Sequence, residues 1–133
     1  MAAAVLVSLL ALGSPATAEP AGTFALVSDV HFNPFDPPSL GAELASADVA
    51  DWPARLATAA SGARSPHGAD TNAALLASAL DAIGSAAAGT DFAIVTGDFL
   101  AHAFEKKAGD ALRGDAAAVS AMAIGTTLYV AGA

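Results

Sequence analysis

The sequence predicts an α/β fold assembled from parallel βαβ units, and three observations support this. Two short apolar runs with β-branched and aromatic members, Thr23–Ser28 and Phe92–Thr96, each lead into a loop carrying an aspartate. A long stretch with helical spacing lies between them. An alanine-rich stretch and a final β-rich run follow, so strand, helix, strand, helix and strand alternate in the order of parallel crossovers.

The first run, "TFALVS", is bounded by Gly22 and by Asp29, and its continuous apolar character predicts a buried strand. The next segment, "FNPFDPPSLG", holds three prolines and is expected to be irregular. Asp51-Trp52-Pro53 starts a short helix, with Asp51 as N-cap and Pro53 in the first turn, ending by Gly62. "ARSPHGADT" is a loop. From Thr71 the spacing of Leu76, Leu80 and Ile83 predicts a helix, capped by Thr71 or Asp70 and closed by Gly89. "DFAIVTGD" contains the second strand. A helix is expected over 110–123, and "TTLYVAGA" is expected to form a third strand.

Composition narrows the chemistry. The chain has 133 residues, room for one domain, with thirteen acidic residues, five basic ones and a formal charge of −8. That balance argues against a nucleic-acid partner, which requires clustered lysine and arginine. There are no cysteines, so a metal would rest on histidine, aspartate, asparagine or glutamate, ligands that favour harder or borderline ions. Residues 1–18 read as a cleaved signal peptide. An apolar core over 2–12 is followed by Gly13 and Pro15, then by the small-x-small site Ala16-Thr17-Ala18. Positive charge ahead of the core comes from the amino group alone. The core is too short for a stable membrane anchor, so a secreted or other extracytoplasmic location is expected.

Candidate functional residues cluster at the predicted strand ends. In parallel strands the C-terminal ends share one edge of the sheet, the usual place for a site in open α/β sheets. Asp29 and His31 are two apart, and residues i and i+2 of an extended segment project to the same side. Asp98 leaves the second strand at the same edge, behind Gly97. Two carboxylates without a counter-charge repel and raise each other's pKa; a cation removes that cost. With two cations a few ångströms apart, Asp98 is placed to bridge them. An aspartate after a strand also commonly serves as a turn former or helix cap, the bland alternative here.

The blocks "VSDVHFNPF" and "VTGDFLAH" resemble the first two motifs, D-x-H and G-D, of the calcineurin-like metallophosphoesterases. Their longer wording is similar to the acid-sphingomyelinase-like phosphodiesterase branch, and "GADTNAALLASALDAI" looks like its second helix. The resemblance spans about 24–130. It implies that the βαβ units form the N-terminal part of a β-sandwich with flanking helices. It also implies that Asp29 and His31 bind one metal, that Asp98 bridges two, and that His102, in G-D-x-x-A-H, protonates the leaving group or holds the phosphate. The cofactors implied are two divalent or trivalent ions (Zn, Mn or Fe). The family continues with a G-N block, a lone histidine and a G-H-x-H pair. Here the chain closes at "YVAGA", with no asparagine after Asn72 and no histidine after His102. Residues 19–133 are therefore expected to be an incomplete metallophosphoesterase domain, with unpaired sheet edges and an exposed apolar face.

The function implied is metal-dependent hydrolysis of a phosphodiester, of a lipid headgroup or a polyphosphate, by the complete enzyme, with little turnover by this chain alone. The competing reading is a non-catalytic α/β module that binds at most one cation. A dinucleotide-binding fold ranks third, since no glycine-rich turn follows the first strand. Of the remaining polar residues, His67 is expected in a loop and Asn33 in a turn beside Pro34. Trp52 is expected in the core, and Lys106 and Lys107 at a solvated helix end.

Overall fold

The computed structural model describes residues 22–132; the expected signal peptide, 1–18, lies outside them. Strand β1 (Phe24–Val27) is followed by helices α1 (Pro38–Ala45), α2 (Trp52–Ala59) and α3 (Ala73–Ala87). Strand β2 (Phe92–Val95), α4 (Phe104–Ala111) and α5 (Ala116–Gly132) complete the chain, and a 3₁₀ turn, Val49–Asp51, leads into α2. The class is mixed α/β. No helix among the described residues is long and apolar enough to cross a membrane.

The two strands pair in parallel, Phe24 opposite Phe92 through Val27 opposite Val95, across the crossover that contains α3. Paired residues share a face, so Phe24, Leu26, Phe92 and Ile94 line one side of the sheet. All four are exposed, which corrects the expectation of buried strands: among the described residues no second layer covers this face. The two phenylalanine rings stack on each other 5.5 Å apart. Val27, Ala93 and Val95 face an apolar cavity whose other wall is Leu76, Leu80 and Ile83 of α3. The main core lies instead among the helices and the loop after β1. Phe32, Leu44, Trp52, Ala108 and Met122 are almost wholly buried there. Trp52 fills the centre as expected, and its indole N–H donates to the Leu44 carbonyl, 3.2 Å away.

Four further expectations need correction. "TTLYVAGA" forms no third strand, because residues 126–132 are the last two turns of α5. The β-branched side chains there favour strand only weakly. Packing overrides them: Met122, Gly125, Thr126 and Val130 fall on one helical stripe and are buried. Tyr129 joins them, its ring 6.2 Å from Trp52 and 6.4 Å from Phe32. The expected helix over 110–123 is two helices. Arg113 and Gly114 adopt left-handed backbone, and Asp115 then caps α5 by accepting from the N–H groups of Ala117 and Ala118. The proline-rich segment is irregular only as far as Pro37, since Pro38 opens α1, where its missing N–H costs nothing. The cap of α3 is Asn72, whose side chain accepts from Leu75 N–H at 3.0 Å, so Thr71 and Asp70 are free for other partners. Asp51 does occupy the N-cap position of α2 but makes no side-chain bond there; Asp48 caps the preceding turn.

Helix α1 packs with almost no clearance. A Cβ added at Gly41 would lie 2.3 Å from Cδ1 of Phe35, a buried ring that packs on Phe104 at 5.3 Å. Overpacking a filled core costs about 1–3 kcal/mol, against roughly 1 kcal/mol gained in helix propensity. Gly41→Ala is therefore expected to lower the urea midpoint, read by circular dichroism. An unchanged or raised midpoint would mean that the Phe35 ring has room to give way.

Candidate metal centre

Three segments distant in sequence are tied together by backbone hydrogen bonds beyond the strand ends. His31 N–H donates to Asp98 C=O at 3.0 Å and Phe32 N–H to Phe99 C=O at 2.8 Å. Ala101 N–H returns to Phe32 C=O at 3.1 Å. On the other side, Asn33 N–H reaches Thr71 C=O at 2.8 Å and Thr71 N–H reaches His31 C=O at 3.0 Å. The fully buried Phe32 ring anchors this ladder in the core.

The ladder brings Asp29, His31 and Asp98 together, as the sequence predicts. One ligand atom from each lies within 4.8 Å of the others. His31 Nε2 is 3.4 Å from Asp98 Oδ2 and 3.9 Å from Asp29 Oδ1. The imidazole is oriented from behind: its Nδ1 lies 3.2 Å from the Leu100 carbonyl, which can only accept, so Nδ1 carries the proton. Nε2 is thereby left with its lone pair toward the two carboxylates, the usual arrangement behind a metal-binding histidine. Ser28 Oγ donates to Asp29 Oδ2, leaving Oδ1 toward His31. The side chains of Asp29 and Asp98 are 70% and 60% exposed. Among the described residues no lysine or arginine pairs with either. The donor set and its spacing fit a borderline or hard cation, with ligand distances of about 2.0–2.2 Å reached by small side-chain movements.

The local backbone is unusual. Asp29, His31 and Asp98 have φ of 58°, 45° and 58°, and Ala103 has 51°. Each non-glycine residue in this region costs on the order of 1 kcal/mol or more, and such residues gather at functional sites. The expectation that Asp29 and His31 extend the strand is thus corrected: β1 stops at Val27, and the loop turns both side chains to one point.

His102 stacks on His31, ring centres 4.2 Å apart and planes 18° from parallel. Its Nδ1 is 2.7 Å from Oδ1 of Asp70, the same oxygen that accepts its backbone N–H at 3.1 Å. The other Asp70 oxygen accepts from Lys107 Nζ, which also donates to the His102 carbonyl at 2.8 Å. Asp70 and Lys107 are the members of this cluster that the sequence did not single out as site residues. Asp70 seemed a helix cap and Lys107 a solvated base, and only the neighbouring asparagine, a better cap, hinted otherwise. His31, Asp70 and His102 also lie within metal-binding distance of one another. Lys107 supplies the positive charge there, however, and the Asp70–His102 hydrogen bond occupies the space. Of the other polar residues, Asn33 turns the loop, accepting from Phe35 N–H at 3.2 Å. Lys106 pairs with Asp110 at 2.8 Å, which raises its pKa. His67 belongs to neither ligand group.

Burial pushes the Asp70 carboxyl upward, but hydrogen bonds from Lys107 and His102 outweigh it and hold the pKa at about 2, below the ordinary 3.8. Its side chain is only 8% exposed. A depressed carboxylate contributes stability above its unfolded pKa and loses it as pH falls through the folded one. Asp70 thus contributes about 2 kcal/mol that fades between about pH 4 and pH 2. The stability gap between the native chain and Asp70→Asn should be larger at neutral pH than at about pH 2 by that order. Urea melts at the two pH values measure it; a gap independent of pH would contradict the assignment.

Compared with known proteins, the chain matches no family model, no curated protein and no solved structure. What the site can do follows from its own atoms and from the two motifs that supply them.

Proposed function

We propose that Asp29, His31 and Asp98 hold a divalent cation and that the chain carries the metal-binding half of a phosphodiesterase centre. The observation that supports this reading is the His31 imidazole, held by Leu100 and presenting Nε2 to two carboxylates that meet no lysine or arginine among the described residues, at the C-terminal rim of a parallel sheet. When bound, the ion supplies charge to polarise a phosphoryl oxygen and to make a water nucleophilic. Asp98 is the ligand a second ion would share, and among the described residues no further histidine, aspartate or glutamate joins all three members of this group. When protonated on both nitrogens, His102 would give the leaving oxygen its Nε2 proton and be left as the neutral ring whose Nδ1–H stays on Asp70.

Two cavities flank these residues and bear on the substrate. One, of about 500 Å³, is lined by Asn33, Asp36, Asp70, His102 and Lys107 and would receive a polar leaving group. The other, of about 460 Å³, has Asp29 at its wall beside Val30, Leu75, Leu80 and Val95. An apolar recess next to a metal ligand favours a lipid-type diester over a polyphosphate, in keeping with the branch that the motifs resemble. The second reading is a non-catalytic module that binds a single cation. The ligand count favours it, since three side chains from two motifs suffice for one ion and leave the other with Asp98 alone.

Calorimetric titration of the chain with Mn²⁺ or Zn²⁺ is expected to give one site. Asp98→Asn and His31→Ala are each expected to weaken it by more than about tenfold. Equal affinity in the native chain and both variants would overturn the proposed centre. A chromogenic phosphodiester in the presence of Mn, Zn or Fe separates the readings. Slow turnover abolished by Asp98→Asn supports the phosphodiesterase, whereas saturable metal binding with no turnover supports the module.

A further inference from the structure

We propose that Asp70 is the positioning residue of His102, fixing the imidazole in its Nδ1–H tautomer so that Nε2 alone faces the reacting groups. The inference rests on the reading of His102 as the proton donor, but its structural content is independent of any metal. His102 is 75% exposed at its side chain, while Asp70 is 8% exposed. An imidazole so open to water ordinarily samples several rotamers and both neutral tautomers. Here three restraints act on it at once. Oδ1 of Asp70 accepts from both Nδ1 and the backbone N–H of the same residue, a two-point grip that sets the ring's rotation. The His31 ring closes one face. Lys107 ties the second carboxylate oxygen to the His102 carbonyl, so the carboxylate cannot swing away.

The tautomer follows from chemistry. An ionised carboxylate has no proton to give, so the nitrogen at 2.7 Å must be the donor. Burial alone would favour a neutral Asp70, but the hydrogen bonds from Lys107 and His102 keep it charged. Nε2 has no protein partner among the described residues. It is therefore the position at which a proton can be exchanged with a bound leaving group. The same grip withholds Nδ1 from a metal ion, which separates the two neighbouring histidines into a ligand and a proton carrier. Their difference lies in what each side chain meets: His31 has Asp29 and Asp98 before it, and His102 has Asp70.

The test is ¹⁵N NMR of the imidazoles at about pH 9, above the ordinary histidine range, on metal-free protein. The chain has only three histidines, so the spectrum is assignable. His102 is expected to show protonated Nδ1 and bare Nε2, and Asp70→Ala to shift it toward the Nε2–H form. His31, held by Leu100, is expected to keep its Nδ1–H form in both proteins and reports that the fold is intact. An Nε2–H tautomer for His102 in the native chain overturns the inference, whether or not the variant folds. So does an unchanged Nδ1–H population in a folded Asp70→Ala. Neither result depends on the metal titrations, so failure here is distinguishable from failure of the cation site.

Discussion

The site depends on a short ladder of backbone hydrogen bonds threaded through Phe32. Its two edges recruit Asp98–Ala101 on one side and Thr71 on the other, so residues from both strand ends and from the start of α3 meet around one buried ring. Every side chain of chemical interest is a near neighbour of that ladder. Asp29 and His31 precede Phe32, Asp98 and His102 flank its partners, and Asp70 stands next to Thr71. Burial of a phenylalanine contributes on the order of 2–3 kcal/mol, enough to offset part of the cost of the left-handed conformations at Asp29, His31 and Asp98.

The two histidines show how environment divides labour between like side chains. Both are fixed through Nδ1, one by a neutral carbonyl and one by a charged carboxylate. The carbonyl turns His31 Nε2 toward two acids. The carboxylate holds the His102 ring by Nδ1 and leaves Nε2 facing outward. Their stacking holds the two imidazoles a ring's thickness apart. In this arrangement the negative charge of the chain as a whole matters less than the local pairing, where Lys107 neutralises Asp70 and leaves Asp29 and Asp98 for a cation.

What the sequence revealed follows the range over which each signal acts. The first two strands, α3 and the meeting of Asp29, His31 and Asp98 were legible because an apolar run followed at once by a polar motif is local information. Residues 126–132 misled because Thr126, Thr127, Leu128, Tyr129 and Val130 look like a strand one by one. Their helical state comes from Trp52 and Phe32, distant in the chain. Asp70 was hidden for a similar reason. Its partner His102 is 32 residues away, and its apparent task as a cap was taken by Asn72, two positions on.

The bare side of the two-stranded sheet has a consequence for how the molecule opens. Phe24, Leu26, Phe92 and Ile94 gain little by folding, since water still covers them. The strands are thus held by their mutual hydrogen bonds and by α3 on a single flank. They form the part of the structure that frays first, ahead of the helical core. The ladder at Phe32 belongs to that core, so transient loosening of the strands need not scatter the acidic and imidazole groups at their tips. The rim of acids and imidazoles is moored to the helices and only decorates the sheet.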